Sequence, residues 1–481
     1  MVQTNSTNMK TPDGFTCIGY KSLYPDTPFS PEEVLKSLPL FDTLHFILQR
    51  QNEVQYTLGS IEVQKNKVYE MYLFICSSAK TKLIDAIALF PNIFLFSNMA
   101  NIQFVMMAME FCQNESRNLK NEEIEKIYMT YLFCNDSWSD KQASGIMELA
   151  NNGNLPGMYL MADVPIIEFK FHKDFKPQIF KAGQLFRFME SNSPYTDYLN
   201  MFYNDQQICN WRDYINILLS FYSSTLNNCI VNVEEANQPI RTFLDKMCIN
   251  LVDCAHIWED QNIKYLREHP LLKAKEGFYI VLNPNFVVDR IYQALKFSIF
   301  AAMEKYGALN KKGKAFKDFP EFSSMLGNDF SETEIFYSGI NKTFKGNAEV
   351  MFSGNDLKNE HIPAEPDFYI RDGKIAYVFE YKDIIISDIV KQSGDFDTIK
   401  NTIFDRICKD DGKPRKGIGQ ILYTINEIIN NKSLIKLDSD SIYIENIYPI
   451  IVTTDKTFSS LGVAYYIIEK TNEIVKIFYS L

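Results

Sequence analysis

Apolar positions recur with helical spacing through most of the first 285 residues. In "NEEIEKIYMTYL", Ile124, Ile127, Tyr128, Tyr131 and Leu132 fall at i, i+3, i+4, i+7 and i+8, the stripe of a core-facing helix. "SPEEVLKSL" supplies a helix start: Ser30 at the N-cap, Pro31 at the first helical position and Glu33 to complete a capping box. "NWRDYINILLSFY" from Asn210 and "IRTFLDKMCINLVDC" from Ile240 repeat the helical pattern. Turn residues in "NNGNLPG" suggest a subdivision near 150–157, and "FYIVL" reads as one short strand before Asn283-Pro284.

The pattern changes further on. A helical run from Phe286 to about Tyr306 ends at Gly307, a lysine-rich loop follows, and Asp318 with Glu321 signals another helix start. "TEIFYSG", "PDFYIRDG", "IAYVFEYKD" and "IYPIIVTTD" then read as strands, rich in β-branched and aromatic residues, with helical patterns such as "GIGQILYTINEII" between the last two. The order helix, strand, strand, strand, helix, strand predicts an α/β or α+β domain. The expected architecture is a mostly α-helical region over 1–285, of unknown role, and a C-terminal domain over 286–481 with a mixed sheet flanked by helices.

Composition narrows the partners. The formal net charge is -11, which excludes a uniformly basic surface. Residues 290–481 hold 25 Lys+Arg against 27 Asp+Glu, so their share is only -2 and the other -9 lies in residues 1–289. A nucleic-acid partner would therefore meet a local patch of the C-terminal domain. Nine scattered cysteines without a CxxC pair point to reduced, buried thiols. The N-terminal stretch "MVQTNSTNMKTPDGF" lacks the order of a signal peptide, and no apolar run is long enough for a bilayer, so a cytoplasmic protein with no membrane partner is expected.

One stretch carries the candidate chemistry. In "AEPDFYIRDGKIAYVFEYKD", Asp372-Gly373 reads as a two-residue hairpin turn, which would set Arg371 opposite Lys374, Asp367 opposite Val378 and Glu365 opposite Glu380. Side chains alternate along each strand, so Asp367, Glu380 and Lys382 would share one face. Phe368, Ile370, Ile375, Tyr377, Phe379 and Tyr381 would form the other, apolar enough to pack a helix. Carboxylates converging beside a lysine suit a hard cation such as Mg²⁺. A cation would also make sense of Glu365 facing Glu380, since directly opposed like charges destabilise a sheet.

Pro366-Asp367 followed by Glu380-Tyr381-Lys382 resembles the PD-(D/E)xK motif of restriction-endonuclease-like nucleases, and the element order is similar to that core over roughly residues 300–455. The resemblance implies that Asp367 and Glu380 ligate Mg²⁺ or Mn²⁺, with Glu365 a further candidate ligand, and that Lys382 orients or helps deprotonate the attacking water. Many members carry an acid on the helix before the first strand; here "GKAFK" has Lys317 at that place, with Glu321 and Glu304 as substitutes. A glutamine on the later helix carries over to Gln420, without the Tyr four residues on, because this chain has Tyr423. The arrangement is similar to bacterial restriction or anti-phage defence proteins.

Basic loops that lead into flanking helices are the candidates for phosphate contact: Lys312 and Lys314 in "NKKGKAFK", and Lys413, Arg415 and Lys416 in "KDDGKPRKG". The five histidines form no HxH or HExxH, and no glycine-rich nucleotide loop or GxSxG elbow occurs. The expectation is a metal-dependent nuclease acting on DNA ahead of RNA, with the helical region serving a protein partner or self-association. The alternative is an inactive nuclease-fold scaffold or nucleic-acid-binding protein.

Overall fold

Helix starts form where short polar residues can satisfy free backbone N–H groups. In the computed structural model Ser30 Oγ accepts the Glu33 N–H at 3.3 Å, with Pro31 in the first turn. Asp318 Oδ1 likewise accepts the Glu321 N–H at 3.0 Å and opens the helix at Phe319. The structure describes all residues except 1–15, 58–59, 91, 169–172, 227, 364, 409–416 and 480–481.

Two units emerge, and both are discontinuous in sequence. The first comprises 1–141, 169–174 and 212–290; the second comprises 142–168, 175–211 and 291–481. The boundary expected at 285/286 corresponds to the last crossing, at 290/291. The helical segments 142–168 and 175–211, expected with the N-terminal region, belong to the second unit.

The first unit is mainly helical. The stripe read in "NEEIEKIYMTYL" lies on the helix Asn121–Asn151, where Ile127, Tyr128, Tyr131 and Leu132 are wholly buried. Asn98–Phe111 is buried along nearly its whole length, from Met99 to Met109, and forms the centre of that packing. "FYIVL" supplies the strand Phe278–Val281, which is the middle strand of an antiparallel sheet with Ile230–Asn232 and Leu271–Lys275.

The second unit contains a four-stranded mixed sheet in the order Val350–Ser353, Phe368–Asp372, Ile375–Lys382, Asn446–Thr453. The first three strands pair antiparallel and the fourth lies parallel to the third, from Ile375 beside Asn446 to Lys382 beside Thr453. Helices cover both faces. Phe336, Tyr337, Ile340 and Phe344 pack on Phe368, Ile370 and Phe379, while Ile421, Ile425 and Ile428 pack on Tyr369, Ala376 and Val378 from the other side.

Three expectations are corrected. "TEIFYSG" is helix, not strand: a helical run spans 319–344, π-helical over Gly327–Tyr337, and the first strand is Val350–Ser353. Phe336, Tyr337, Ile340 and Phe344 sit at i, i+1, i+4 and i+8, and burying that stripe outweighs the β-propensity of the residues. The run from Phe286 is interrupted at 292–294, between the helices Pro284–Ile291 and Leu295–Lys305. Phe286, Val287, Val288 and Ile291 are all buried, so no polar stripe shows where the periodicity lapses. Finally, the hairpin turn is Gly373-Lys374, with Asp372 opposite Ile375 and Arg371 opposite Ala376. Gly373 has φ +55°, which suits glycine at such a turn.

Candidate functional site

That corrected register differs by two residues from the expected one, so it preserves which side chains share a face. Continuing it from Phe368 opposite Phe379 brings Asp367 beside Glu380, in place of the expected Val378. Glu365 precedes the strand and is partly exposed. The charges that act on Glu380 are those of Asp367, Lys382 and Glu332, so the expected Glu365–Glu380 opposition does not form.

Glu380 is wholly buried. Its Oε1 accepts a hydrogen bond from Lys382 Nζ, and its Oε2 is buried without a hydrogen-bond partner among the described residues. Burial, then the Asp367 charge, raises the Glu380 carboxyl to about 8, with Lys382 opposing and Glu332 adding to the rise. Asp367, at the strand's threshold, is also pushed up by burial, against the Tyr381 N–H and Lys382. That Tyr381 N–H donates to Asp367 Oδ2 at 2.7 Å, so the residue between Glu380 and Lys382 fixes the acid on the neighbouring strand's threshold.

The structure adds an acid that the motif reading missed. Glu332 lies in the π-helical segment and acts electrostatically on both Asp367 and Glu380. Tyr337 Oη donates to Glu332 Oε1 from five residues along the same helix. π-Helical turns are rare and are often found at functional sites. The adjoining Ser331 donates to Asp383 Oδ2 at 2.7 Å, tying this segment to the residue after Lys382. Burial works against the charge of Asp383, but Lys296 at 3.2 Å, Ser331 and Thr454 at 2.8 Å outweigh it and hold the carboxyl below its usual range. Gly354 completes the support. Its N–H donates to the Asp367 carbonyl at 2.8 Å, and a Cβ there would meet Pro366 O and Tyr337 Oη, each at 3.0 Å.

The other candidates fall elsewhere. Glu321 accepts from Asn310 Nδ2 at 2.9 Å and from the Lys317 N–H at 2.7 Å, so it braces its own loop. Glu304 is exposed. Lys312 and Lys314 are exposed on that loop, where Asn310 Oδ1 accepts both backbone N–H groups. Gln420 is partly buried, one turn before the buried Thr424 on the helix Ile418–Ile429. Lys413, Arg415 and Lys416 lie outside the described residues.

Among the described residues, the ligand triplet whose atoms lie within 4.8 Å of one another is in the first unit: Glu110, His256 and Glu259. Glu110 there caps the neighbouring turn, accepting the Trp258 N–H at 2.7 Å. No described helix is long and apolar enough to cross a membrane. No protein-family model, curated protein or solved structure matches the chain.

Proposed function

We propose that the second unit is a divalent-metal-dependent phosphodiesterase that cleaves nucleic acid, DNA ahead of RNA. The observation that carries the reading is Glu380: a wholly buried carboxylate with one oxygen on Lys382, the other unpartnered, and two further acids in electrostatic reach. A buried anion left in that state is costly. A cation would relieve it, and an all-carboxylate donor set suits Mg²⁺ or Mn²⁺. Asp367 and Glu380 are the residues that would hold the ion, with Glu332 a further acid that acts on both. The element order and the fourth strand's parallel pairing also accord with a restriction-endonuclease-like core.

A bound Mg²⁺ supplies a water acidified toward neutral pH and positive charge for the phosphoryl oxygens. The chain's own residues do the rest. Lys382, a fifth exposed by side chain, offers an ammonium to charge that builds on the phosphate while it balances Glu380. The Tyr381 N–H holds Asp367 in place through one carboxylate oxygen, Oδ2.

Plasmid, single-stranded DNA and RNA incubated with Mg²⁺ or Mn²⁺ test the proposal. Cleavage lost in both Asp367→Ala and Lys382→Ala, with folding unchanged, is the expected result. The second reading, an inactive scaffold, draws on the separation of the acids, since Asp367, Glu380 and Glu332 do not form a ligand triplet within 4.8 Å. Calorimetric titration with Mg²⁺ decides between them: no heat that depends on Asp367 would leave the scaffold.

A further inference from the structure

On the other face of the Glu380–Lys382 segment lies an open cleft of about 280 Å³, bordered by Lys181, Phe336, Gly339, Ile340, Tyr381 and Val452. Lys181 comes from the helix Phe175–Ser191 and is partly buried at the cleft wall. It forms no ion pair or hydrogen bond among the described residues, only a distant approach to the Tyr292 ring, 5.8 Å from its centroid. The nearby carboxylate, Asp383, is already engaged by Lys296, Ser331 and Thr454. Burial, then the charges of Lys296 and Lys456, pushes the Lys181 amine below its usual range, with Asp383 opposing. Partial burial and like charge both work against this ammonium, and the carboxylate that favours it, Asp383, is shared with Lys296.

The remaining wall is mainly aromatic and apolar, with Thr453 and Thr454 its polar members. Tyr381 stacks on Phe336 with centroids 4.9 Å apart and planes 12° from parallel, and its own N–H is the donor that fixes Asp367. Tyr381 thus belongs to both places: its ring borders the cleft on one face of the segment, and its N–H holds Asp367.

We propose that this cleft seats a backbone phosphate of the bound nucleic acid on Lys181, away from the scissile bond, with the attached sugar or base against Ile340 and Val452. The assignment rests on the phosphodiesterase reading for its substrate class. A single added positive contact to phosphate carries affinity without sequence choice and increases the salt dependence of binding.

Binding of fluorescein-labelled DNA and RNA oligonucleotides to the full chain, followed by anisotropy in EDTA across a series of NaCl concentrations, tests this without cleavage. Lys181→Gln is expected to weaken binding about tenfold and to lower the slope of log K against log salt by about one, while Lys181→Arg retains both. Gly339→Leu should weaken binding comparably by filling the cleft, since a Cβ at Gly339 meets nothing within 4 Å and so leaves the fold intact. Affinities within about twofold of wild type for both Lys181→Gln and Gly339→Leu would overturn the proposal. So would inorganic phosphate displacing the oligonucleotide at equal concentration, which would give the cleft to a free anion. Cleavage with Mg²⁺ is scored separately: Lys181-dependent binding without cleavage would remove the phosphodiesterase reading alone, and cleavage without Lys181-dependent binding would remove this one alone.

Discussion

Two clusters of buried charge sit at opposite ends of one hairpin, on the same face. Near the turn, Arg371 Nε and Nη2 grip Asp438 at 2.7 and 2.9 Å, Nη1 reaches Glu349 at 2.5 Å and the Gly373 carbonyl at 3.0 Å, and Tyr369 Oη donates to Asp438 at 3.0 Å. Both oxygens of Asp438 are used. At the far end Glu380 is buried as deeply, yet only one of its oxygens has a partner, and the acids around it act against its charge. The first cluster is closed and can only hold the sheet together. The second is short of one positive partner, and that shortage, more than burial or charge, separates a site from a strut.

The comparison breaks most sharply at Asp438. Asp438→Ala leaves the Arg371 guanidinium buried with the exposed Glu349, a carbonyl and the exposed Asp440 at 3.8 Å, and should destabilise the protein by about 3–5 kcal/mol in urea unfolding. Little loss would mean that the turn-end cluster is no more structural than the other.

Glu380→Gln should act in the opposite sense. The Glu380 carboxyl is raised from 4.5 to about 8 in the folded chain, so its contribution is fully present below about pH 4.5 and is lost as pH rises through about 8. Metal-free wild type is therefore expected to lose stability across that window. Glu380→Gln, which carries no charge to bury, should flatten the profile and be more stable at pH 8 by about 1–2 kcal/mol. Mg²⁺ should recover the loss in wild type, increasingly toward pH 8, and do nothing for the variant. Urea midpoints in EDTA and in Mg²⁺ at both ends of the window measure all of this. A wild-type profile parallel to that of Glu380→Gln would show that the buried acid carries no such penalty.

Which residues share the charged face was legible because strand alternation survives any register error of two, and the turn error was of that size. The sheet's last three strands were legible for the same reason. Glu332 was not, because it lies in a stretch whose Thr, Ile, Phe and Tyr content reads as strand and whose π-helical turns obscure the period. The stripe Phe336, Tyr337, Ile340, Phe344 is the signal that could have placed it on a helix. The interleaved units were equally hidden. Leu160, Met161 and Val164 find their core with Ile399, Ile403 and Val463, more than two hundred residues on, and local pattern carries no trace of such a partner.

Gly354→Ala asks the finest question, whether the open cluster depends on shape as well as charge. The residue has no left-handed backbone to defend, so alanine is tolerated conformationally and the effect must come from contact. Its Cβ would press on Pro366 O and Tyr337 Oη at 3.0 Å and on Asp367 Cα at 3.3 Å. Those three atoms belong to the strand threshold that carries Asp367 and to the tyrosine that holds Glu332. The expected cost is about 0.5–1 kcal/mol, well below that at Asp438, because the neighbours need give by only a few tenths of an ångström. Cleavage should nonetheless fall about tenfold, since acids that share one ion tolerate little displacement. Equal stability loss with cleavage unchanged would mean that Asp367 is placed by the Tyr381 N–H alone, and that the loop before it is free to move.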